Sequence, residues 1–336
     1  MVRRFSIAVV AAAALTSWTA AWAQTPAELL AVEDAWRVAF NTHDMDKLLS
    51  YWADDGVFDY VAAGTPFAGK EQIRAFMQSV FAAFPTYEDV TPTRLAAGNI
   101  IVTECRPIAT HQGAWMGIPA TCRPISVPHM SVYEYQGTKI RKLAFYDDAV
   151  TLLIQLGVIP APALAALAPS FTLPDPQPTT MTPMQAQIES MARWNAHDLA
   201  GWAKMIRPEV DAYYNVVGVP VDRNALIALT EMYFLGFPDI QGEIVRQTDM
   251  GEGWVLCEAV FRGTQNGPYL GVPATGRPMV NRVAWLSRWD AQGLLTNFHV
   301  YFDNLGVLVQ LGAIQLPGVS AVSSTTWGQV KAVFQE

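Results

Sequence analysis

Gly113-Ala-Trp-Met-Gly117-Ile-Pro-Ala-Thr-Cys-Arg-Pro124 returns 154 residues later as Gly267-Pro-Tyr-Leu-Gly271-Val-Pro-Ala-Thr-Gly-Arg-Pro278. Each copy is followed by an aspartate and then a Gln-Leu-Gly. The first has Asp148 and Gln155-Leu156-Gly157, the second Asp303 and Gln310-Leu311-Gly312. The match extends outward in register. Asn41-x-His43-Asp44 aligns with Asn195-x-His197-Asp198, Tyr60 with Tyr214, Phe84-Pro85 with Phe237-Pro238, and Glu104 with Glu258. A unit of this length is too long for a solenoid repeat and reads as a duplicated domain. The division expected is a first domain over 24–158, a linker over 159–181, a second domain over 182–316 and a tail over 317–336.

Both copies open alike. Thr25-Pro26-Ala27-Glu28 and Thr182-Pro183-Met184-Gln185 are capping boxes with proline at the first helical position. Leu29, Val32, Trp36 and Phe40 then recur at helical spacing, as do Ile188, Met191 and Trp194. Asp44 and Asp198 are placed to cap a second helix, followed by a short strand over 57–61 or 211–216. A third helix is expected over 70–84 and 224–237. Strands are expected over 88–97, 99–111, 125–135 and 140–148, with equivalents at 241–249, 253–265, 279–289 and 293–302. A short helix closes each copy at Gly157 or Gly312, where glycine suits a left-handed end. The linker is proline-rich, with a helical turn expected over 163–167, and a last helix is expected over 326–334.

Composition sets outer bounds. The chain has 336 residues, 51% hydrophobic and 15% charged, an ordinary globular balance with room for two domains. Residues 1–23 read as a signal peptide: Arg3-Arg4, an apolar run from Ile7 to Leu15, and Ala21-Trp22-Ala23 before Gln24. Its removal moves the net charge from −8 to −10, since two arginines and no acid are lost. An acidic chain without basic runs is a poor partner for nucleic acid or an anionic membrane. The expectation is a periplasmic or secreted protein that does not associate with the membrane after signal removal. Cys105 and Cys122 lie in the first copy and have Ala259 and Gly276 at the matching positions. A disulfide between them and two unrelated thiols are both compatible with export. Cys257 reads as a small core residue.

Three helices, a curved antiparallel sheet and a closing helix, carrying Thr110-His111-Gln112-Gly113, Gly117-Ile-Pro-Ala-Thr-x-Arg123, Asp148 and Gln155-Leu156-Gly157, resemble the SnoaL-like polyketide cyclase family. That family lies in the nuclear transport factor 2-like superfamily. The second copy is similar through Thr264 to Arg277, Asp303 and Gln310-Leu311-Gly312. The resemblance implies an α+β fold of two tandem cone-shaped domains, packed on each other as an intramolecular pseudo-dimer. In such cyclases an aspartate at the end of the last strand is the acid/base of an aldol closure, without metal or organic cofactor. Carried over, that aspartate is Asp148 in the first copy and Asp303 in the second. The family's histidine falls on His111, where the second copy has Gln265.

Strand alternation puts Ala144, Tyr146 and Asp148 on one face and His299, Tyr301 and Asp303 on one face. If those faces line the cones, each aspartate is a base desolvated by the apolar wall and each tyrosine a donor to a developing enolate. The catalytic candidates are therefore Asp148, Asp303, His111, His299, Tyr146 and Tyr301. A plainer role stands beside each. Both aspartates precede an apolar helix and suit an N-cap, and both tyrosines suit a core aromatic. His129, matched by Val283, faces either the first cavity with Ser131 and Tyr133 or the outside. Asp59, matched by Tyr213, is a candidate for the first cavity. His43 and His197 belong to loop structure. The five histidines give no paired metal spacing, and no nucleophile elbow, Walker loop or dinucleotide fingerprint occurs. The expectation is no cofactor and no metal. Three functions fit: a cofactor-independent cyclase, isomerase or lyase acting on a small apolar or aromatic carbonyl or phenol; a non-catalytic small-molecule-binding module; and a scaffold with filled cones.

Overall fold

The computed structural model describes residues 24–64, 66–160, 168–215 and 217–314. The expected signal peptide, the helical turn over 163–167 and the last helix over 326–334 lie outside the described residues. In the first half the elements are α1 (Pro26–Asn41), α2 (Met45–Ser50), β1 (Trp52–Tyr60), β2 (Phe67–Ala68), α3 (Gly69–Ala83), β3 (Glu88–Ala97), β4 (Ile100–Thr110), β5 (Pro124–Ile125), β6 (His129–Gln136), β7 (Lys139–Tyr146) and α4 (Ala149–Gln155). The second half repeats them as α5 (Pro183–Asn195), α6 (Leu199–Ala203), β8 (Ile206–Tyr214), β9 (Pro220–Val221), α7 (Arg223–Gly236), β10 (Gln241–Gly251), β11 (Trp254–Thr264), β12 (Pro278–Trp289), β13 (Leu295–Phe302) and α8 (Asn304–Gln310).

The strand orders are the same read in either half: β2-β1-β7-β6-β4-β3, and β9-β8-β13-β12-β11-β10. The expected antiparallel sheet is antiparallel but for one pair per copy. β1 runs parallel to β7, and β8 to β13. The first strand also begins earlier than its apolar pattern indicates, at Trp52 rather than Val57, because Trp52 pairs with Ile140 before a bulge.

Local chemistry explains the elements. Both capping boxes form, Thr25 with Glu28 and Thr182 with Gln185. Asp44 and Asp198 cap α2 and α6. The Asn-x-His-Asp turn ties the end of the first helix to the sheet. Asn41 Oδ1 accepts from Asp89 N at 3.0 Å, and Asn195 Oδ1 from Gly242 N at 2.8 Å. His43 and His197 each place Nε2 against a carbonyl at the end of the loop after the third helix.

Each curved sheet closes over its helices to form a cone with an aromatic core. In the first copy that core includes Trp36, Phe40, Trp52, Phe58 and Tyr133; in the second it includes Trp202, Tyr214, Phe237, Trp285 and Phe302. A third apolar cluster draws on both halves, with Val102, Met130 and Val132 against Leu256, Ala284 and Leu286. The outer faces of the two sheets therefore pack on each other. Among the described residues, no helix is long and apolar enough to span a membrane.

Candidate active site

The repeated glycine loop, over 113–124 and 267–278, is a structural latch. A Cβ on Gly113 would lie 2.3 Å from the Ala82 carbonyl oxygen, and one on Gly267 2.0 Å from that of Leu235. Only glycine lets the loop press on the end of the third helix, where Gly113 N donates to Ala83 O and Gly267 N to Gly236 O. The Gln-Leu-Gly of each closing helix holds the other side. Gln155 bonds both Ser126 N and Ser126 O, and Gln310 does the same to Val280.

His111 belongs to this latch. Its Nδ1 accepts from Thr121 N at 3.2 Å and lies 3.1 Å from Thr121 Oγ1. Burial lowers its pKa, favouring the neutral ring that this bond requires. Gln265 does the same work in the second copy, taking Thr275 Oγ1 on its carbonyl and donating to Val272 O and Pro273 O. The two residues differ because the loop needs a polar pin there, and an amide serves as well as an imidazole. Cys105 is buried in β4 while Cys122 is exposed in this loop, and no disulfide joins them.

Alternation grouped the other five candidates correctly, and the structure turns that face away from the cones. Tyr146, Asp148, His299, Tyr301 and Asp303 lie between the two sheets, and none lines either cavity. Their contacts are reciprocal. Tyr146 donates to Glu258 at 2.6 Å, and Tyr301 to Glu104 at 3.0 Å. Asp148 accepts from Asn304 N at 3.1 Å, and Asp303 from Ala149 N at 3.3 Å. Each aspartate also caps its own helix, through Val150 N or through Leu305 N and Gly306 N. Reciprocity of this kind marks a two-fold-like interface. Burial raises the pKa of both aspartates, and for Asp303 the charge of Asp148 adds to it. His299 sits 2.7 Å from Glu104; burial lowers its pKa, and Glu104 and Asp211 together more than offset that and raise it. Asp59 is also on this outer face, paired with both Arg282 nitrogens at 2.8 and 2.7 Å. It does not line the first cavity.

The opposite parity lines the cones. The first cavity holds about 770 Å³, counting the part open to solvent. Its wall is aromatic, with Trp36, Phe58, Phe76, Trp115 and Phe145 among its residues. Ser131, Tyr87 and Tyr133 also line it, and four further polar groups interrupt it: Tyr60, Asp89, His129 and Asp147. Tyr60 Oη donates to Asp147 Oδ2 at 3.1 Å. Asp147 Oδ1 is buried with no hydrogen-bond partner. Burial pushes the Asp147 carboxyl up to about 7, against the opposing pull of His129 and Tyr60. His129 Nε2 lies 3.6 Å from Asp89 Oδ2. Burial alone lowers a histidine pKa, yet the Asp89 charge and Cys105 carry His129 well above its ordinary value. His129 Nδ1 and Asp89 Oδ1 are buried without partners. Thus three of the site's polar atoms are committed to nothing inside the protein.

The second cavity, of about 630 Å³ on the same basis, has none of this. The strand registers put Phe302 where the first copy has Asp147, Val283 where it has His129, and Ala259 where it has Cys105. The Asn195 bond puts Gly242 where Asn41 holds Asp89. Trp194, Trp202, Trp285 and Phe298 line it, and its polar groups are Gln187, Ser190, Asn281 and two tyrosines. Asp147 was missed in the sequence because Asp148 beside it carried the motif match. The signal available was the comparison of copies, since three cavity-facing ionisable residues of one half become apolar or glycine in the other.

A cone of helices on a curled sheet defines the nuclear transport factor 2-like class. The family model for the SnoaL-like polyketide cyclases matches residues 30–156 and again 186–311. The chain belongs to that family, twice over. No curated protein matches the sequence. Solved structures similar to one half at a time include IdmH of Streptomyces antibioticus, at 25% identity over 40% of this chain and 99% of that one, with a TM-score of 0.35. AclR of Streptomyces galilaeus is 21% identical over 40% of this chain and 85% of its own, with a TM-score of 0.37. A protein of ketosteroid isomerase-like fold from Catenulispora acidiphila, solved in complex with trimethylamine, is 22% identical over 38% and 92%, with a TM-score of 0.34.

Proposed function

We propose that the first cone is an acid/base active site with Asp147 as its base, and that its substrate is a small apolar or aromatic carbonyl or phenolic compound. The reading rests on one observation: a carboxyl poised near neutrality, with one oxygen held by Tyr60 and the other unpartnered, at the wall of an aromatic cavity. A base with its pKa near the working pH combines availability with driving force. Asp147 Oδ1 takes a proton from the carbon next to the carbonyl. The His129–Asp89 pair supplies the electrophilic pole toward which the carbonyl oxygen turns as it gains charge. The proton on Asp147 then returns to carbon or to the new hydroxyl. Cyclase, isomerase and lyase reactions all share that first step, and the family supports any of them.

The second cone supports a different reading, that of a binding cavity without chemistry. It keeps the aromatic wall and has no carboxylate or histidine among its lining residues. The two cones would thus divide turnover from ligand holding within an intramolecular pseudo-dimer. The basic and apolar N-terminus supports export to the periplasm or beyond, which suits catabolism of an environmental aromatic better than cytoplasmic polyketide assembly.

The deciding experiment is a screen of aromatic and cyclic ketones, β-dicarbonyls and phenols with the wild-type chain, Asp147→Asn and Asp303→Asn. Asp147→Asn is expected to lower kcat by about 10²–10⁴-fold. Wild-type kcat/KM is expected to rise with pH through about 7 as Asp147 loses its proton. Full turnover in Asp147→Asn, with loss in Asp303→Asn, would return the chemistry to the interface aspartates.

A further inference from the structure

Beside Asp89 and His129, on the same concave face of the first cone, lies a further ionisable side chain. Cys105 on β4 is the direct register partner of His129 on β6. Opposed residues on adjacent strands have Cβ atoms about 5 Å apart. Asp89 on β3 pairs with Pro107 of β4, two residues from Cys105 and on the same face of the sheet. One ligand atom from each of Asp89, Cys105 and His129 lies within 4.8 Å of the other two. Three adjacent strands thus gather a carboxylate, a thiol and an imidazole on one concave surface.

We propose that Asp89, Cys105 and His129 form a site for one zinc-class divalent ion, with its fourth position facing the first cavity. The donor set is that of borderline metals: sulfur, nitrogen and oxygen together. Bonds of about 2.0–2.3 Å in a tetrahedron place ligand atoms roughly 3.3–3.8 Å apart. The 3.6 Å between His129 Nε2 and Asp89 Oδ2 falls in that range. Charge agrees as well. A dication with one carboxylate and one thiolate leaves a neutral buried centre, which a low-dielectric wall tolerates. Metal binding takes the thiolate of cysteine and a lone pair of imidazole, so it is expected to be weaker at low pH. Both Asp89 and His129 line the cavity, so an ion has a way in and a side on which to keep a fourth ligand.

The second copy argues for the set as a unit. Its residues at the three positions are Gly242, Ala259 and Val283, so the whole donor set is present in one cone and absent from the other. Sequence spacing concealed the site, since its members lie 16 and 24 residues apart along the chain. The site shares Asp89 and His129 with the acid/base reading, but it does not rest on that reading, because it needs no turnover to be detected.

The test uses the untagged full chain, stripped with chelator and titrated with Co²⁺ and then Zn²⁺. One Co²⁺ per chain is expected, with a thiolate-to-cobalt charge-transfer band that Zn²⁺ abolishes. Cys105→Ala is expected to remove that band, and His129→Val to weaken binding by more than about a hundredfold, beyond what loss of an outer-shell partner costs. Both variants install the second copy's own residue, so the fold has already accommodated them once, and a thermal melt checks this. Absence of stoichiometric binding, or binding that keeps its spectrum in Cys105→Ala, would overturn the proposal. Asp147→Asn separates the two readings: it is expected to lose turnover and keep its cobalt. Cobalt binding with unimpaired turnover in that variant would sink the acid/base reading and leave the metal site standing.

Discussion

Asp147 and Asp148 are neighbours in sequence with opposite duties. Asp148 caps α4 and reaches across to Asn304 N, so its oxygens are engaged. Asp147 points into the cone with one oxygen unpartnered. This difference has a thermodynamic signature. The Asp147 pKa is raised from 3.8 to about 7 by burial, so the folded state holds a proton that the unfolded chain releases. Stability from this group is full below about pH 4 and is lost as pH rises to 7. Asp147→Asn removes the penalty. The variant is expected to be more stable than wild type by a few kcal/mol at pH 8 and equal to it near pH 4, as read by denaturant melts at both pH values. A gap that does not change with pH would show that Asp147 is not a buried acid. A residue that lowers stability at neutral pH while lining a cavity is the usual cost of a functional group.

At the scale of elements, α4 and α8 are seven-residue helices, too short to persist alone. They are held by Leu153, Leu305 and Leu308 packing between the halves and by two aspartates that each satisfy backbone donors on both helices. Asp303→Ala leaves Leu305 N, Gly306 N and Ala149 N without their acceptor. A cost of about 2–4 kcal/mol follows from one lost cap and the unpaired donors it strands. Asp303→Asn keeps an acceptor oxygen and should cost about 1 kcal/mol, since burial and Asp148 already disfavour the charge. Equal effects from the two variants, read by urea melts, would show that charge rather than capping matters there. The helix boundaries, the caps and most strand spans were legible in the sequence because each is written in local chemistry: capping boxes, alternation, and glycines at close approaches. The early starts of β1 and β8 and the split of the expected 125–135 strand into β5 and β6 were not. Membership of a face was legible too, since Tyr146 and Asp148 do share one. Which face turns inward was not, because parity is the same whether a row points into the cone or toward the other sheet.

At the scale of the molecule, the two halves bind each other through the outer faces of their sheets, and charge is sealed in that seam. Asp59 is buried and bidentate with Arg282, with Lys142 also in reach. Burial alone would raise the Asp59 pKa, but Arg282 and Lys142 more than offset it and hold it below the ordinary value. A depressed carboxylate adds stability above its unfolded pKa, and this is lost as pH falls through the folded value. Arg282→Ala should therefore destabilise the chain at pH 7 by about 1–3 kcal/mol. That figure is discounted from the cost of a buried pair because Arg282 remains partly exposed. The loss should shrink at a pH below the depressed folded value of Asp59, where that carboxyl is protonated in both proteins. Differential scanning calorimetry at the two pH values checks it; an equal loss at both would assign the effect to packing of the arginine stem.

The sequence by itself determined the duplication, the family and the order of elements, because the repeat, the caps and the latch motif are all local or periodic signals. It also determined that the copies are unequal, since His129 and Cys105 have no counterparts among the second copy's residues. The tertiary structure alone decided that the motif aspartates and tyrosines bind the halves together. It alone decided that Asp147, Asp89 and His129 share one cavity, with Cys105 beside the last two. The physical reason is the pairing of strands: β3, β4, β6 and β7 bring together residues far apart in the chain, and the packing of one sheet on another selects which parity of each strand is left to face the cone.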